Sequence, residues 1–362
     1  MNRYRKTVAE IHLDNLYRNY KVISEKIPQK TVIPVVKANA YGHGAIEVVK
    51  HLYSKGVRFF AVSLIEEADQ LRELYDDIEL LVMGVAHKED LKHCAKNNYT
   101  VTLSNLDQID GCMELDQMLK VHLKVDTGMN RLGFKDVQEI KEVVRFLDSH
   151  QFVNLQGIFT HFATADGDLD FYQKQRKQFE EILEEVDYTF EMIHCSNSSS
   201  TIKFEQDIPY TTHTRLGISL YGLTLDDGMD FLKNTFTLKT KIQEIKHLQK
   251  GEKVGYGITY TAKEDEVIGV LPIGYADGFI RMNQGGDVEI NQKRYEIVGR
   301  ICMDQMFVKI DESITKEDDV ILMGGLVSID EVANRLKTIN YEIICSISDR
   351  VPRIYIKKGV TL

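Results

Sequence analysis

Between residue 30 and about residue 220, short β-branched runs alternate with amphipathic helical stretches. The strand candidates are Thr31–Val36, Arg58–Ser63, Ile78–Gly84, Tyr99–Leu103, Lys120–Asp126, Val153–His161, Thr189–Ser196 and Thr212–Gly217. Between them lie segments such as DVQEIKEVVRFLDSH and DFYQKQRKQFEEILEEV; the second aligns Phe171, Phe179, Ile182, Leu183 and Val186 on one helical stripe. Eight strands, each followed by a helix except at the end, suit an N-terminal (β/α)8 barrel. An open doubly wound sheet has the same alternation, and periodicity alone leaves both open.

The texture changes after the loop around Asp226–Gly228. Strand-like runs then follow one another without long helices: Phe236–Ile245, Val267–Pro272, Asp287–Ile290, Arg294–Ile301, Met306–Ile310 and Asp319–Met323. SIDEVANRLKT is the one clear helix, with Ser328 as N-cap and Glu331 at the capping-box position. The fold class expected is therefore α/β: a barrel over residues 1–230, then a mostly-β domain over 231–362. The early strand Thr7–Leu13 precedes the barrel count and can pair with the second domain. A chain of 362 residues, 43% apolar, is long enough for two cores.

Composition excludes several classes of function. The net charge is −10, with Lys and Arg evenly scattered, which argues against nucleic acid or an anionic membrane as partner. No window approaches the roughly 20 apolar residues of a membrane helix, and MNRYRKTVAEIHLDNLYRNY lacks the apolar core of a signal peptide. Five widely spaced cysteines without a CxxC indicate free thiols in a cytoplasmic protein, with neither a disulfide framework nor a metal site.

The unusual polar residues fall at strand ends. Lys37 follows TVIPVV. Lys124 lies near the end of the fifth candidate strand, with Arg131 in the loop beyond it. His161 ends the sixth, Asn197 and Ser198 follow the seventh, and Arg215 and Gly217 end the eighth. In a barrel these ends share the face where active sites sit. Each has an ordinary alternative: Lys37 as a solvated loop charge, His161 as a structural histidine, Ser198–Ser200 as a helix cap. Arg215 is more telling, because a charge in an apolar strand needs partners. The loops after strands seven and eight commonly hold phosphate, so the Ser198 hydroxyl and the N–H groups near Gly217 and Ile218 are candidates for that task.

Nine motifs in order resemble the alanine racemase family. They are VVKANAYGHG (Val35–Gly44), KVDTGMNRLGF (Lys124–Phe134), GIFTHFATAD (Gly157–Asp166), HCSNSSS (His194–Ser200), TRLGISLYG (Thr214–Gly222), VGYGITY (Val254–Tyr260), LPIGYADGF (Leu271–Phe279), VGRICMDQ (Val298–Gln305) and RVPRIY (Arg350–Tyr355). The resemblance implies a (β/α)8 barrel with a C-terminal β domain, and pyridoxal 5'-phosphate as cofactor. It implies Lys37 as the attachment lysine and one proton-transfer group, with Tyr256 serving the opposite face of the α-carbon. Tyr41, Ser198, Gly217 and Ile218 are implied at the phosphate, Asn197 and His161 elsewhere around the cofactor, and Arg215 at the pyridine nitrogen. Arg131, Met303 and Tyr275 are implied at the substrate, and Lys124 as a carbamylation site. A tyrosine is a weak base at neutral pH, so Tyr256 is expected to lean on His161 and, through it, Arg215. In the family this tyrosine comes from the partner subunit, which implies a homodimer with shared sites.

One position departs from the family pattern. The residue before RVPR is commonly tyrosine and here is Asp349, which removes bulk and a donor and adds negative charge near the expected phosphate. The function expected is interconversion of L- and D-alanine for cell-wall peptidoglycan. The alternative is a serine or broad-specificity racemase on the same scaffold. A decarboxylase lacks a use for Tyr256, and a pyridoxal-phosphate carrier lacks a use for the second domain.

Overall fold

The computed structural model describes residues 4–225, 228–358 and 360–361; Asp226 and Asp227, in the loop read as the change of texture, lie outside them. Contacts divide the chain into two compact units, Tyr17–Ala40 with Gly44–Leu232, and Met1–Leu16 with Tyr41–His43 and Lys233–Leu362.

The first unit is an eight-stranded parallel barrel. After β1 (Val8–His12), which belongs to the other unit, come β2 (Thr31–Pro34), β3 (Phe59–Val62), β4 (Glu79–Val85), β5 (Thr100–Leu103), β6 (Leu119–Lys124), β7 (Val153–Phe159), β8 (Met192–His194) and β9 (His213–Leu216). Strands β3 to β8 pair in chain order, and β2 pairs with β9. A parallel bridge from Val35 to Ala61 joins β2 to β3. Hydrogen bonds from Thr212 N to Ile193 O (2.9 Å) and Arg215 N to Ser196 O (3.4 Å) join β9 to β8. Closure distinguishes this fold from the open sheet that the alternation equally allowed: closing the ring leaves no edge strand to cover.

Helices form where the spacing placed them, and short polar side chains start them. Asp136 accepts from Gln138 N and Glu139 N ahead of Val137–Ser149, and Asp168 accepts from Phe171 N ahead of Leu169–Glu185. The buried face of the latter is Tyr172, Gln175, Phe179 and Ile182; Phe171 and Leu183 are only half-buried, so the expected stripe is rotated. The rotation buries Gln175, whose Oε1 accepts from Ala163 N (2.8 Å) and whose Nε2 donates to Thr127 Oγ1 (3.2 Å) and His161 O (3.3 Å). This helix is thereby tied to the C-terminal ends of β6 and β7.

The second unit is built on a ten-stranded sheet. Its strands are β10 (Phe236–Lys241), β11 (Glu244–Leu248), β14 (Glu266–Leu271), β15 (Asp287–Ile290), β16 (Lys293–Val298), β17 (Met306–Ile310), β18 (Asp319–Met323), β19 (Arg353–Lys357) and β20 (Val360–Thr361), with β1. A separate ladder pairs β12 (Lys253–Val254) with β13 (Tyr260–Thr261). Strand β1 pairs antiparallel with β10 and parallel with β19. The expected run Phe236–Ile245 is two strands, because the chain turns at Ile242–Gln243 and β11 pairs with β14 at the sheet's edge. Ser328 caps the helix Ile329–Leu336 by accepting from Glu331 N (3.0 Å). The Glu331 carboxylate goes instead to Arg294 (2.7 Å) and Arg335 (3.0 Å), so the reciprocal half of the box is replaced by ion pairs. A further short helix, Asn340–Ser346, went unread in the sequence.

A buried ion pair sits where the barrel closes. Lys30, just before β2, donates to Glu205 Oε1 (2.8 Å), Ile208 O (2.8 Å) and Thr211 Oγ1 (2.7 Å), and Ser196 Oγ donates to Glu205 Oε2 (2.7 Å). Removing one partner leaves a buried charge uncompensated. Lys30→Met is therefore expected to cost about 3–5 kcal/mol in urea unfolding, and Lys30→Met/Glu205→Leu to recover most of that loss. Equal loss in the single and double variants would show that the pair does not hold this seam.

Candidate active site

The C-terminal ends of the barrel strands gather positive charge around one histidine. His161, just past β7, is held well below its ordinary pKa by desolvation first, then by Arg215, Lys124, Arg131 and Lys37 in that order. Four cations from three different strand ends or the loops after them thus act on a single imidazole. Lys124 is buried at the end of β6, and desolvation, then Arg215, push its ammonium down to about 7. Its Nζ donates to Val125 O (2.6 Å).

Arg215 on β9 is 3% exposed, and burial lowers its pKa to about 10, so it remains a cation at neutral pH. Its acceptors are all neutral. Nη1 donates to His194 Nδ1 (2.5 Å); Nη2 donates to Thr160 O (2.9 Å), Cys195 O (3.1 Å) and His161 Nδ1 (3.1 Å). No carboxylate among the described residues lies within ion-pair distance of it. A guanidinium only donates, so each imidazole nitrogen facing it must accept. His194 therefore carries its proton on Nε2 and hands it to His122 Nδ1 (2.9 Å), while His161 carries its proton on Nε2. His122 lies fully buried, and desolvation lowers it to about 3. Both of these deeper imidazoles are thus neutral spacers under the cation.

Beside Arg215 the loops after β8 and β9 meet through one hydroxyl. Ser198 Oγ accepts from Gly217 N (3.0 Å) and Ser219 N (3.3 Å), and Ser219 Oγ is buried without a partner. An anion offered several oxygens would satisfy these donors better than one hydroxyl does. Asn197 caps the helix Ser198–Lys203, accepting from Ser200 N (3.1 Å) and donating to Phe162 O (3.3 Å), which fixes the course of the loop. An unbalanced guanidinium, an orphaned hydroxyl and clustered N–H groups suit an anionic cofactor with an aromatic acceptor. The residues present therefore fit pyridoxal phosphate.

Past β2 the backbone turns left-handed. Ala38, Asn39, Ala40 and Tyr41 have φ of 51°, 52°, 54° and 53°, directly after Lys37. Each non-glycine residue in that region costs roughly 1–2 kcal/mol, so the turn persists only because its surroundings hold it. Gly42 follows, also at positive φ, where a Cβ would lie 2.5 Å from Ile344 O.

The comparisons with known proteins cover the whole of this chain. Residues 11–225 match the model of the alanine racemase N-terminal domain, and residues 235–355 that of the C-terminal domain. The alanine racemase of Halalkalibacterium halodurans is 40% identical over 98% of this chain and 96% of its own length. That of Staphylococcus carnosus is 38% identical over 97% and 95%. The crystal structure of the Bacillus anthracis alanine racemase, with bound L-Ala-P, superposes with a TM-score of 0.93 at 35% identity over 100% of this chain and 98% of that one. This chain belongs to the alanine racemase family.

Of the residues singled out from the sequence, the barrel unit brings together Lys37, Lys124, Arg131, His161, Asn197, Ser198, Arg215, Gly217 and Ile218. Tyr41, Tyr256, Tyr275, Met303 and Asp349 belong to the β-rich unit. There Tyr256 and Tyr275 line one concavity of about 180 Å3 with Arg281, Arg300, Ile301 and Cys302. Tyr256 is 73% exposed, on a turn between Gly255 and Gly257, both at positive φ. Met303 is half exposed, and its carbonyl accepts from Ala276 N (3.1 Å). Asp349 is nearly fully exposed, and its nearest cation is Arg353 at 3.7 Å. The sequence reading missed His194, His122 and Ser219. His194 was visible as a histidine opening HCSNSSS, but strand alternation does not say that it backs Arg215.

Lys124 supplies a stability test. Unfolded, a lysine keeps its proton to about 10.5; folded, Lys124 gives it up at about 7. Between those values the unfolded chain binds more protons, so stability rises with pH, and the penalty is complete below 7. In carbonate-free buffer, Lys124→Met should therefore exceed wild type most at pH 6.5, with its advantage shrinking by pH 9.5 in urea melts. A pH-independent gap would mean that Lys124 stays charged when folded.

Proposed function

We propose that this protein interconverts L- and D-alanine as a pyridoxal-phosphate enzyme using two proton-transfer groups, Lys37 and Tyr256. The observation that carries this reading is the convergence of Lys37, Lys124, Arg131 and Arg215 on His161, with no carboxylate paired to Arg215. Such a field favours a dianionic phosphate and a substrate carboxylate.

Pyridoxal phosphate, when bound, supplies a conjugated ring that accepts the electron pair left on the α-carbon as its proton departs. The chain's own residues do the rest. Lys37 holds the cofactor covalently and moves the proton at one face. Tyr41 and Ser198, with the N–H groups of Gly217 and Ile218, hold the phosphate, and Asn197 keeps that loop in place. Arg215 donates to the pyridine nitrogen and keeps its own proton, because every other acceptor around it is a neutral carbonyl or imidazole. Arg131, with Met303 and Tyr275, positions the substrate carboxylate, and a carbamylated Lys124 turns a cation into an anion that pairs with Arg131. Tyr256 moves the proton at the opposite face, aided by His161. The barrel unit, Tyr17–Ala40 with Gly44–Leu232, acts as the cofactor domain, and the β-rich unit presents this second base.

The exposure of Tyr256 supports a homodimer in which each barrel receives the tyrosine of its partner. Cys94, Cys112, Cys195 and Cys302 are free thiols, which suits a reducing cytoplasm, and no helix among the described residues is long and apolar enough to cross a membrane. Supply of D-alanine to peptidoglycan follows as the physiological role.

Borohydride treatment of the loaded protein should fix pyridoxyl label to Lys37, and Lys37→Ala should lose label and at least a thousandfold in kcat. Label on another lysine would overturn the assignment. Mixed Lys37→Ala and Tyr256→Phe subunits should regain partial racemisation on exchange, since a mixed dimer has one intact site; exchange without recovery would put both groups in one subunit.

Asp349 favours a second substrate. Its exposed carboxylate, turned toward Arg353, leaves the position without the bulk of a phenol. A methylene-sized difference is worth only about 1–3 kcal/mol, so loss of one wall can shift preference by tens of fold. Asp349→Tyr should therefore raise the alanine-to-serine ratio of kcat/KM. An unmoved ratio in an enzyme that ignores serine restores alanine as the sole substrate.

A further inference from the structure

The left-handed turn after Lys37 needs an external restraint, and one carboxylate supplies it. Glu67 sits in the first turn of the helix Ile65–Arg72, after β3. Its Oε2 accepts from Ser63 N (2.8 Å) and Leu64 N (3.1 Å), which caps its own helix. Its Oε1 reaches across to the neighbouring strand end and accepts from Ala38 N at 2.6 Å, the N–H that follows the Lys37 carbonyl. An ionised carboxylate accepts strongly from backbone amides, and here three N–H groups from two strand ends share it.

Within the turn other restraints come from the backbone and from the Asn39 side chain. Ala40 N donates to Val36 O (2.9 Å), Gly44 N to Asn39 O (2.9 Å) and Ala45 N to Asn39 Oδ1 (2.8 Å). Ala38 is exposed, so its side chain brings little packing to hold φ at 51°. At the first left-handed residue, the bond from its own N–H to Glu67 thus acts with the Ala40 N–Val36 O bond against relaxation into the ordinary right-handed region.

We infer that Glu67 is a positioning residue: by bonding Ala38 N it holds the strained turn left-handed and so aims Lys37 at the cofactor. This rests on the reading of Lys37 as the attachment lysine, but the backbone restraint itself can be measured without cofactor. Glu67 touches neither cofactor nor substrate in this account. Its effect passes through the backbone between Lys37 and Ala38.

The test uses the full chain, first stripped of pyridoxal phosphate. Hydrogen exchange is followed by mass spectrometry in peptides covering residues 36–44 and 62–66. Glu67→Ala should speed exchange in both, by about tenfold in 36–44, whereas Glu67→Gln, with one acceptor oxygen for three donors, should fall between. Reloaded, Glu67→Ala should bind pyridoxal phosphate at least tenfold more weakly, with kcat reduced in step. Glycine adopts positive φ without steric penalty. Ala38→Gly added to Glu67→Ala should therefore recover most of the lost affinity, while Ala38→Gly alone stays within about twofold of wild type. Faster exchange confined to 62–66, with cofactor affinity unchanged, would reduce Glu67 to a helix cap and overturn the inference. So would an affinity loss that Ala38→Gly leaves unrepaired. If Glu67→Ala does not fold, the Glu67→Gln pair with and without Ala38→Gly carries the same comparison. Failure of the wild type to bind pyridoxal phosphate would count against the proposed function, while the exchange arm would still decide the restraint.

Discussion

A cation buried at the end of a barrel strand, with only neutral groups to receive its hydrogen bonds, organises the rest of the site. Arg215 is almost wholly shielded, and burying a charge is tolerable only when its donors are satisfied. Two backbone carbonyls and two imidazoles do this, and their arrangement has consequences in sequence. His194 must present a bare Nδ1, which sends its proton to His122, and His161 must present a bare Nδ1, which leaves its proton on Nε2. A carboxylate in place of either imidazole would have neutralised Arg215. Neutral partners instead leave its field available to whatever anion or ring acceptor the site receives.

The geometry around that charge depends on ring closure. Lys37, Lys124, His161, Ser198 and Arg215 come from strands separated by up to 178 residues in number, and only a closed parallel barrel brings β2 beside β9 and so returns the first strand end to the last. Closure also places β3 beside β2, which is what lets Glu67 span two strand ends and brace a backbone turn that no local preference would form. Strain in the turn after Lys37 and its restraint are thus products of the same topology.

Much of this was legible in the sequence, for identifiable reasons. Period-two and period-3.6 patterning marked all eight barrel strands, because β-branched runs buried on both faces have few other uses. Ser328 declared its helix through a side-chain oxygen that can reach only nearby N–H groups. The less legible features were those in which two solutions satisfy the same local pattern. The run Phe236–Ile245 reads as one strand, and only the pairing of β11 with β14 reveals the break at Ile242–Gln243. The helix Leu169–Glu185 has two plausible buried faces. The one chosen buries the polar Gln175, because Ala163 N, Thr127 and His161 O need partners there.

The sequence by itself determined most of the order of elements, an alternating α/β part followed by a β-rich part, and which polar residues stand at strand ends, since these follow from periodicity and from motifs that carry their spacing with them. Tertiary structure alone decided that the alternation closes into a ring, that His194 and His122 stand behind Arg215, that Ser219 keeps an unpartnered hydroxyl beside Ser198, and that Ala38–Tyr41 turn left-handed under Glu67. These are contacts between residues 20 to 190 positions apart, roughly, and their energies arise from burial and hydrogen-bond satisfaction. Local propensity contains neither quantity, so no reading of neighbouring residues could have supplied them.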